Sequence, residues 1–76
     1  MKVRYFAAAE EAVGRAEDVR AEATLGALRA ALDADHPGLG GILPRCAVLV
    51  DGARVDDDTV LTDATLVDVL PPFAGG

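Results

Sequence analysis

One amphipathic stripe limits what this chain can build. Leu25, Leu28, Ala31 and Leu32 recur at helical spacing behind Thr24, a good N-cap, so the pattern predicts a helix of about three turns. His36-Pro37-Gly38 stops it, because proline disfavours helical geometry in the residue before it. Gly26 in the first turn weakens the helix by roughly 1 kcal/mol relative to alanine. Most other patterned segments alternate in steps of two, the period of a strand. A single helix covers one face of one sheet, so the expectation is a two-layer α+β domain.

The segments fall in a definite order. Lys2-Val3-Arg4-Tyr5-Phe6-Ala7 opens as a strand with Val3, Tyr5 and Ala7 on one face and Lys2, Arg4 and Phe6 on the other. Ala8 to Val13 suits a short helical turn ending at Gly14. Val19, Ala21 and Ala23 alternate with Asp18, Arg20 and Glu22 as a second, weakly apolar strand, with Gly14-Arg15 as the hairpin connection. After the helix, Leu39, Ile42 and Leu43 in a glycine-bearing loop are available to cover the core edge. Cys46 to Val50 is a continuous apolar strand, and Asp51-Gly52 is the strongest hairpin signal in the chain. Arg54-Val55 is expected as a short return strand before the acidic turn Asp56-Asp57-Asp58. Thr65 to Leu70 is the last strand, with Val67 and Val69 facing one way and Leu66, Asp68 and Leu70 the other. This order matches a ubiquitin-like β-grasp: a mixed four- to five-stranded sheet with one main helix and the first and last strands central. The domain would span 1–70, followed by a flexible tail, 71–76, ending in Gly-Gly.

Composition narrows the function. Seventy-six residues make one domain, and fifteen of its thirty-nine apolar residues are alanines, so the core is small. A net charge of −6 argues against nucleic acid and makes a basic protein surface the natural complement. No apolar run approaches the ~18 residues of a membrane span, and Met1-Lys2-Val3 leads into alternation, not into a signal peptide. One cysteine makes no internal disulfide, which fits a reducing, cytoplasmic setting. A lone His36 leaves no Cys/His cluster for zinc, and the absence of serine excludes a serine triad. No metal or bound cofactor is expected. Chemistry is left to carboxylates, Cys46, the backbone or the chain end.

The chain end is unusual. The last strand runs directly into Pro71-Pro72-Phe73-Ala74-Gly75-Gly76. The prolines fix φ and remove two backbone donors, so strand pairing stops and the chain leaves extended. Ala74, Gly75 and Gly76 have almost no bulk, so this tail can thread a narrow channel and present a terminal carboxylate to another enzyme. A plain frayed terminus is the bland alternative.

These residues resemble the MoaD/ThiS family of ubiquitin-like sulfur carriers, most of all its molybdopterin synthase small-subunit branch. The likeness covers essentially the whole chain. It rests on Lys2-Val3-Arg4-Tyr5-Phe6-Ala7, on Asp51-Gly52 followed by Val55-Asp56 and Leu61-Thr62-Asp63, and above all on Leu70-Pro71-Pro72-Phe73-Ala74-Gly75-Gly76. The resemblance implies that the Gly76 carboxylate is adenylated by an ATP-consuming, MoeB/ThiF-like partner, converted to a thiocarboxylate with sulfur from a donor system, and used to build the molybdopterin dithiolene. It also implies a MoaE-like large subunit in a heterotetramer, with no acid or base supplied by the carrier. Two departures stand out: Glu10-Glu11 replaces a common Arg-Glu, and Asp63-Ala64-Thr65-Leu66 replaces an Asp-Gly-Asp-Glu turn.

Other residues carry weaker readings. Cys46 opens an apolar strand, where free cysteine is commonly buried and inert. His36 suits the negative end of a helix. Asp56-Asp57-Asp58 lacks the alternation and closing Glu of a calcium loop and reads as a solvated turn. Phe6, Leu66 and Leu70 lie among charges on the side away from the core, a candidate docking face. The resemblance adds Leu61 to that partner interface. Two function classes remain open: a sulfur carrier, for molybdopterin ahead of thiamine or cysteine biosynthesis, and a ubiquitin-like modifier joined to lysines through Gly76.

Overall fold

In the computed structural model, which describes residues 1–72, the two ends of the chain form the middle of the sheet. Strand β1 (Lys2–Tyr5) runs parallel to β4 (Leu66–Leu70), with Lys2 opposite Leu66 and Tyr5 opposite Val69. Strand β2 (Glu17–Val19) flanks β1, and β3 (Ala47–Val50) flanks β4, both antiparallel, giving the order β2-β1-β4-β3. Helix α2 (Leu25–Asp35) is the main helix, joined by two short ones, α1 (Ala8–Val13) and α3 (Pro37–Gly40), and a 3-10 turn at Leu43–Arg45. This is the mixed, ubiquitin-like β-grasp that the element order predicts.

One face of the sheet and one stripe of α2 make the core. Val3, Tyr5, Val67 and Val69 face Leu25, Leu28 and Leu32, all essentially without solvent contact. Each such leucine contributes about 1.5–3 kcal/mol by leaving water. The Thr24 hydroxyl accepts the Ala27 amide at 3.2 Å and caps α2, and His36 closes it by donating its amide to the Leu32 carbonyl. The stop at Pro37 does not yield an irregular loop. Pro37 starts α3, since its fixed φ suits a first helical turn, and this drives Leu39 fully into the core. Leu43 is buried beside it and Ile42 half-buried.

Tertiary ties correct four local expectations. The second strand is Glu17–Val19, not 18–23: Val3 pairs with Asp18, which faces the Tyr5 hydroxyl, while Val19 is 83 % exposed. Residues 20–22 are instead pinned by Arg20, whose guanidinium binds both oxygens of Glu22 and reaches Asp35 at 2.9 Å. The link from β1 to β2 is α1 with Gly14 in the left-handed region, not a tight hairpin. Arg54-Val55 forms no strand among the described residues: only Ala53 bridges back to Val50, before the acidic run turns away. Leu61 is 7 % exposed and packs in the core, which removes it from any docking face; its amide donates to the Ala23 carbonyl and holds the 59–62 segment against the start of α2.

The Asp51-Gly52 hairpin forms as expected. Both residues have positive φ, 50° and 84°, as a type I′ turn requires. Asp51 also locks the turn to β4, accepting the Leu66 amide on Oδ1 at 2.9 Å.

Candidate functional site

Covering one side of the sheet with helices leaves the other side open, and the strand register decides what it shows. Period-two alternation puts Lys2 and Arg4 of β1, with Phe6 just beyond it, on the face opposite Val3 and Tyr5. Leu66, Asp68 and Leu70 of β4 share that face, as do Ala47 and Leu49 of β3.

An ion pair lies at the centre. Arg4 and Asp68 are direct neighbours across the parallel pair, and the guanidinium grips the carboxylate through two hydrogen bonds of 2.6 and 2.9 Å. Hydrogen bonding by Asp68 raises the Arg4 pKa still further above its ordinary value. The same guanidinium lies 5.7 Å from the centroid of the Phe6 ring, within cation–π range. Arg4 therefore ties an exposed aromatic to a fixed carboxylate. Around this pair, Leu49, Leu66 and Leu70 are half-buried and Phe6 is 37 % exposed. The result is an apolar patch with a neutralised charge in its middle, a surface suited to a protein partner. Leu49 and Ala47 belong to this patch, although the continuous apolar run from Cys46 to Val50 hides which of its residues face out. Pairing of Leu49 with Asp68 and of Ala47 with Leu70 settles it.

The candidate reactive end grows out of this patch. Leu70 ends β4 opposite Ala47; Pro71 is buried and Pro72 exposed, so the chain leaves the sheet at the rim of the open face. Phe73, Ala74, Gly75 and Gly76, expected to thread a partner and react, lie outside the described residues.

The remaining chemical candidates are structural. Burial pushes the Cys46 thiol up, and its Sγ donates to the Ile42 carbonyl at 3.3 Å, so it is a poor thiolate. His36 caps a helix and meets the Tyr5 ring edge-on at 6.3 Å, with its Nε2 buried and without a protein partner. In the acidic turn, the Asp57 carbonyl accepts the Gly26 amide and its carboxylate pairs with Arg29 at 3.0 Å. No group of three metal-binding side chains occurs among the described residues. No described helix is long and apolar enough to cross a membrane.

Comparison with known proteins agrees with this geometry. Small archaeal modifier protein 3 of Haloferax volcanii is 34% identical, over 100% of this chain and 98% of its own length. Subunit 1 of the molybdopterin-converting factor of Helicobacter pylori, solved as a complex of subunits 1 and 2, is similar at 29% identity and a TM-score of 0.74, covering 99% of this chain and 96% of that one. The crystal structure of SAMP1 from H. volcanii shares the fold, with a TM-score of 0.78 at 24% identity, over 99% of this chain and 97% of that one. The model of the ThiS family matches residues 3–76, and the chain belongs to that family of ubiquitin-like proteins.

Proposed function

We propose that this chain is a sulfur carrier whose C-terminal Gly76 is the reacting residue. In this reading an ATP-dependent, MoeB/ThiF-like enzyme converts the Gly76 carboxylate to an acyl adenylate. A carboxylate is a poor electrophile; the adenylate supplies the leaving group that lets a sulfur nucleophile attack. The resulting thiocarboxylate donates its sulfur to the molybdopterin dithiolene while a MoaE-like large subunit holds the carrier by its open sheet face. The carrier presents the tail, and the acid–base groups belong to its partners. The observation that carries this reading is the Pro71-Pro72-Phe73-Ala74-Gly75-Gly76 sequence placed directly after the central strand of a ubiquitin-like sheet. Likeness to a subunit of a molybdopterin-converting factor complex supports the pathway.

A second reading has an observation of its own. Full-length likeness to small archaeal modifier protein 3 favours transfer of the activated Gly76 to lysines of other proteins. Both readings share the adenylate and diverge afterwards. Intact mass of the chain purified from its host separates them: exchange of one oxygen for sulfur marks the carrier, and Gly76-linked conjugates mark the modifier. A host-purified chain showing neither would overturn both.

A further inference from the structure

We propose that Lys2 is an acceptor site for the Gly76 acyl group of a second copy of this chain, so that activated chains join head to tail. The inference rests on the activation of Gly76 proposed above.

A carrier with an activated acyl end meets its own nucleophiles first, and the fold disarms nearly all of them. Six of the seven basic residues are arginines, which stay protonated and do not attack acyl groups; Lys2 is the only lysine. The Met1 amine donates to the Arg20 carbonyl at 2.8 Å, and Met1 itself is buried. The Cys46 thiol is half-buried and held by Ile42. The Tyr5 hydroxyl lies in the core, its pKa pushed up to about 12 by burial above all. Lys2 is different. Its side chain is 53% exposed on the open sheet face, loosely paired with Glu17 at 3.8 Å. The register sets its backbone between Val19 and Leu66, and the amine stands beside the Glu17 carboxylate on the open face.

Topology decides which copy it serves. Parallel pairing puts Lys2 beside Leu66, at the start of β4, whereas the tail departs after Leu70. These points are separated by four strand steps, about 13 Å. The six residues from Pro71 to Gly76 reach about 20 Å when extended. To meet its own Lys2 the chain must therefore double back at two prolines that resist reversal. An extended tail meets the Lys2 of another molecule without that turn. The chain leaves one end of this strand pair and the acceptor stands at the other, an arrangement that adds copies in a line instead of closing a pair. In the step itself, Lys2 Nζ attacks the Gly76 acyl carbon of the adenylate and a C–N bond forms. The C–O bond to AMP breaks, AMP leaves with the electron pair, and the amine proton passes to solvent.

The test uses the full chain expressed in its host, wild type and Lys2→Arg, with tryptic peptides and intact mass read in parallel. Trypsin cuts after Arg4 and Arg54, so the link appears as Met1–Arg4 branched at Lys2 to Val55–Gly76. The expected result is this peptide in the wild type and complete loss of self-conjugates in Lys2→Arg, with the melting temperature unchanged. A thiocarboxylate, or Gly76 joined to other proteins, with no Lys2 branch overturns this inference alone. Self-conjugates that persist in Lys2→Arg overturn it as well. An unmodified Gly76 throughout overturns both this inference and the carrier reading.

Discussion

Tyr5, the only tyrosine in a chain without tryptophan, reports directly on the packing between α2 and the sheet. Burial first, then the nearby Asp18 charge, moves its pKa from 10.0 to about 12. The folded state thus disfavours the tyrosinate relative to the unfolded chain. The corresponding stability is complete below pH 10 and is lost as pH rises from there towards 12. A tyrosinate absorbance titration is expected to show a midpoint well above that of the denatured protein, with thermal stability falling over the same interval. Coincident midpoints in folded and denatured protein would contradict this placement. Leu61 and Phe6 make a second, paired prediction. Leu61→Ala should cost about 2–5 kcal/mol of stability by leaving a core cavity. Phe6→Ala should barely change the melting temperature yet weaken binding of the proposed large-subunit partner by about 2 kcal/mol, the size of an interface anchor. Calorimetric melting and titration of both variants check this, and a collapsed melt for Phe6→Ala would refute the open-face assignment.

Among the elements, α2 shows how a local rule is overridden by a neighbour. Propensity alone says that Gly26→Ala stabilises the helix by about 1 kcal/mol. A Cβ at Gly26 would stand 3.1 Å from the Asp57 Cβ and 3.3 Å from its carbonyl oxygen, and that carbonyl is held by the Gly26 amide at 2.9 Å. The acidic turn cannot retreat without losing this bond. Gly26→Ala is therefore expected to lower the melting temperature, and a rise would show that the turn yields freely. Thr24→Ala, which removes the N-cap, should cost about 1 kcal/mol by the same measurement. The helix itself is legible in the sequence because its cap, stripe and stop are local signals. The reason for its glycine is not, because Asp57 is thirty-one positions away.

At the scale of the whole molecule, the domain and its proposed reactive end are separable. All described core residues precede Pro71, so deleting Gly76, or adding a residue after it, should leave the melting temperature unchanged while abolishing adenylation. Pyrophosphate release with the activating enzyme reads the second effect; an extended chain still adenylated at the normal rate would refute the terminal-carboxylate reading. Local signals carry the helix with its cap and stop, the Asp51-Gly52 turn, the inward Val3, Tyr5, Val67 and Val69 and the Pro-Pro exit, whereas Ala7, expected beside Val3 and Tyr5, lies past the end of β1 and is exposed. Each of these signals depends on spacing or backbone chemistry within a few residues. Long-range pairing settles that β2 covers Glu17–Val19, that Arg54-Val55 forms no strand among the described residues, that Leu61 is core and that Leu49 joins the open face. Strand pairing, not the composition of a segment, assigns each side chain its face, and a one-residue change of register reverses every assignment.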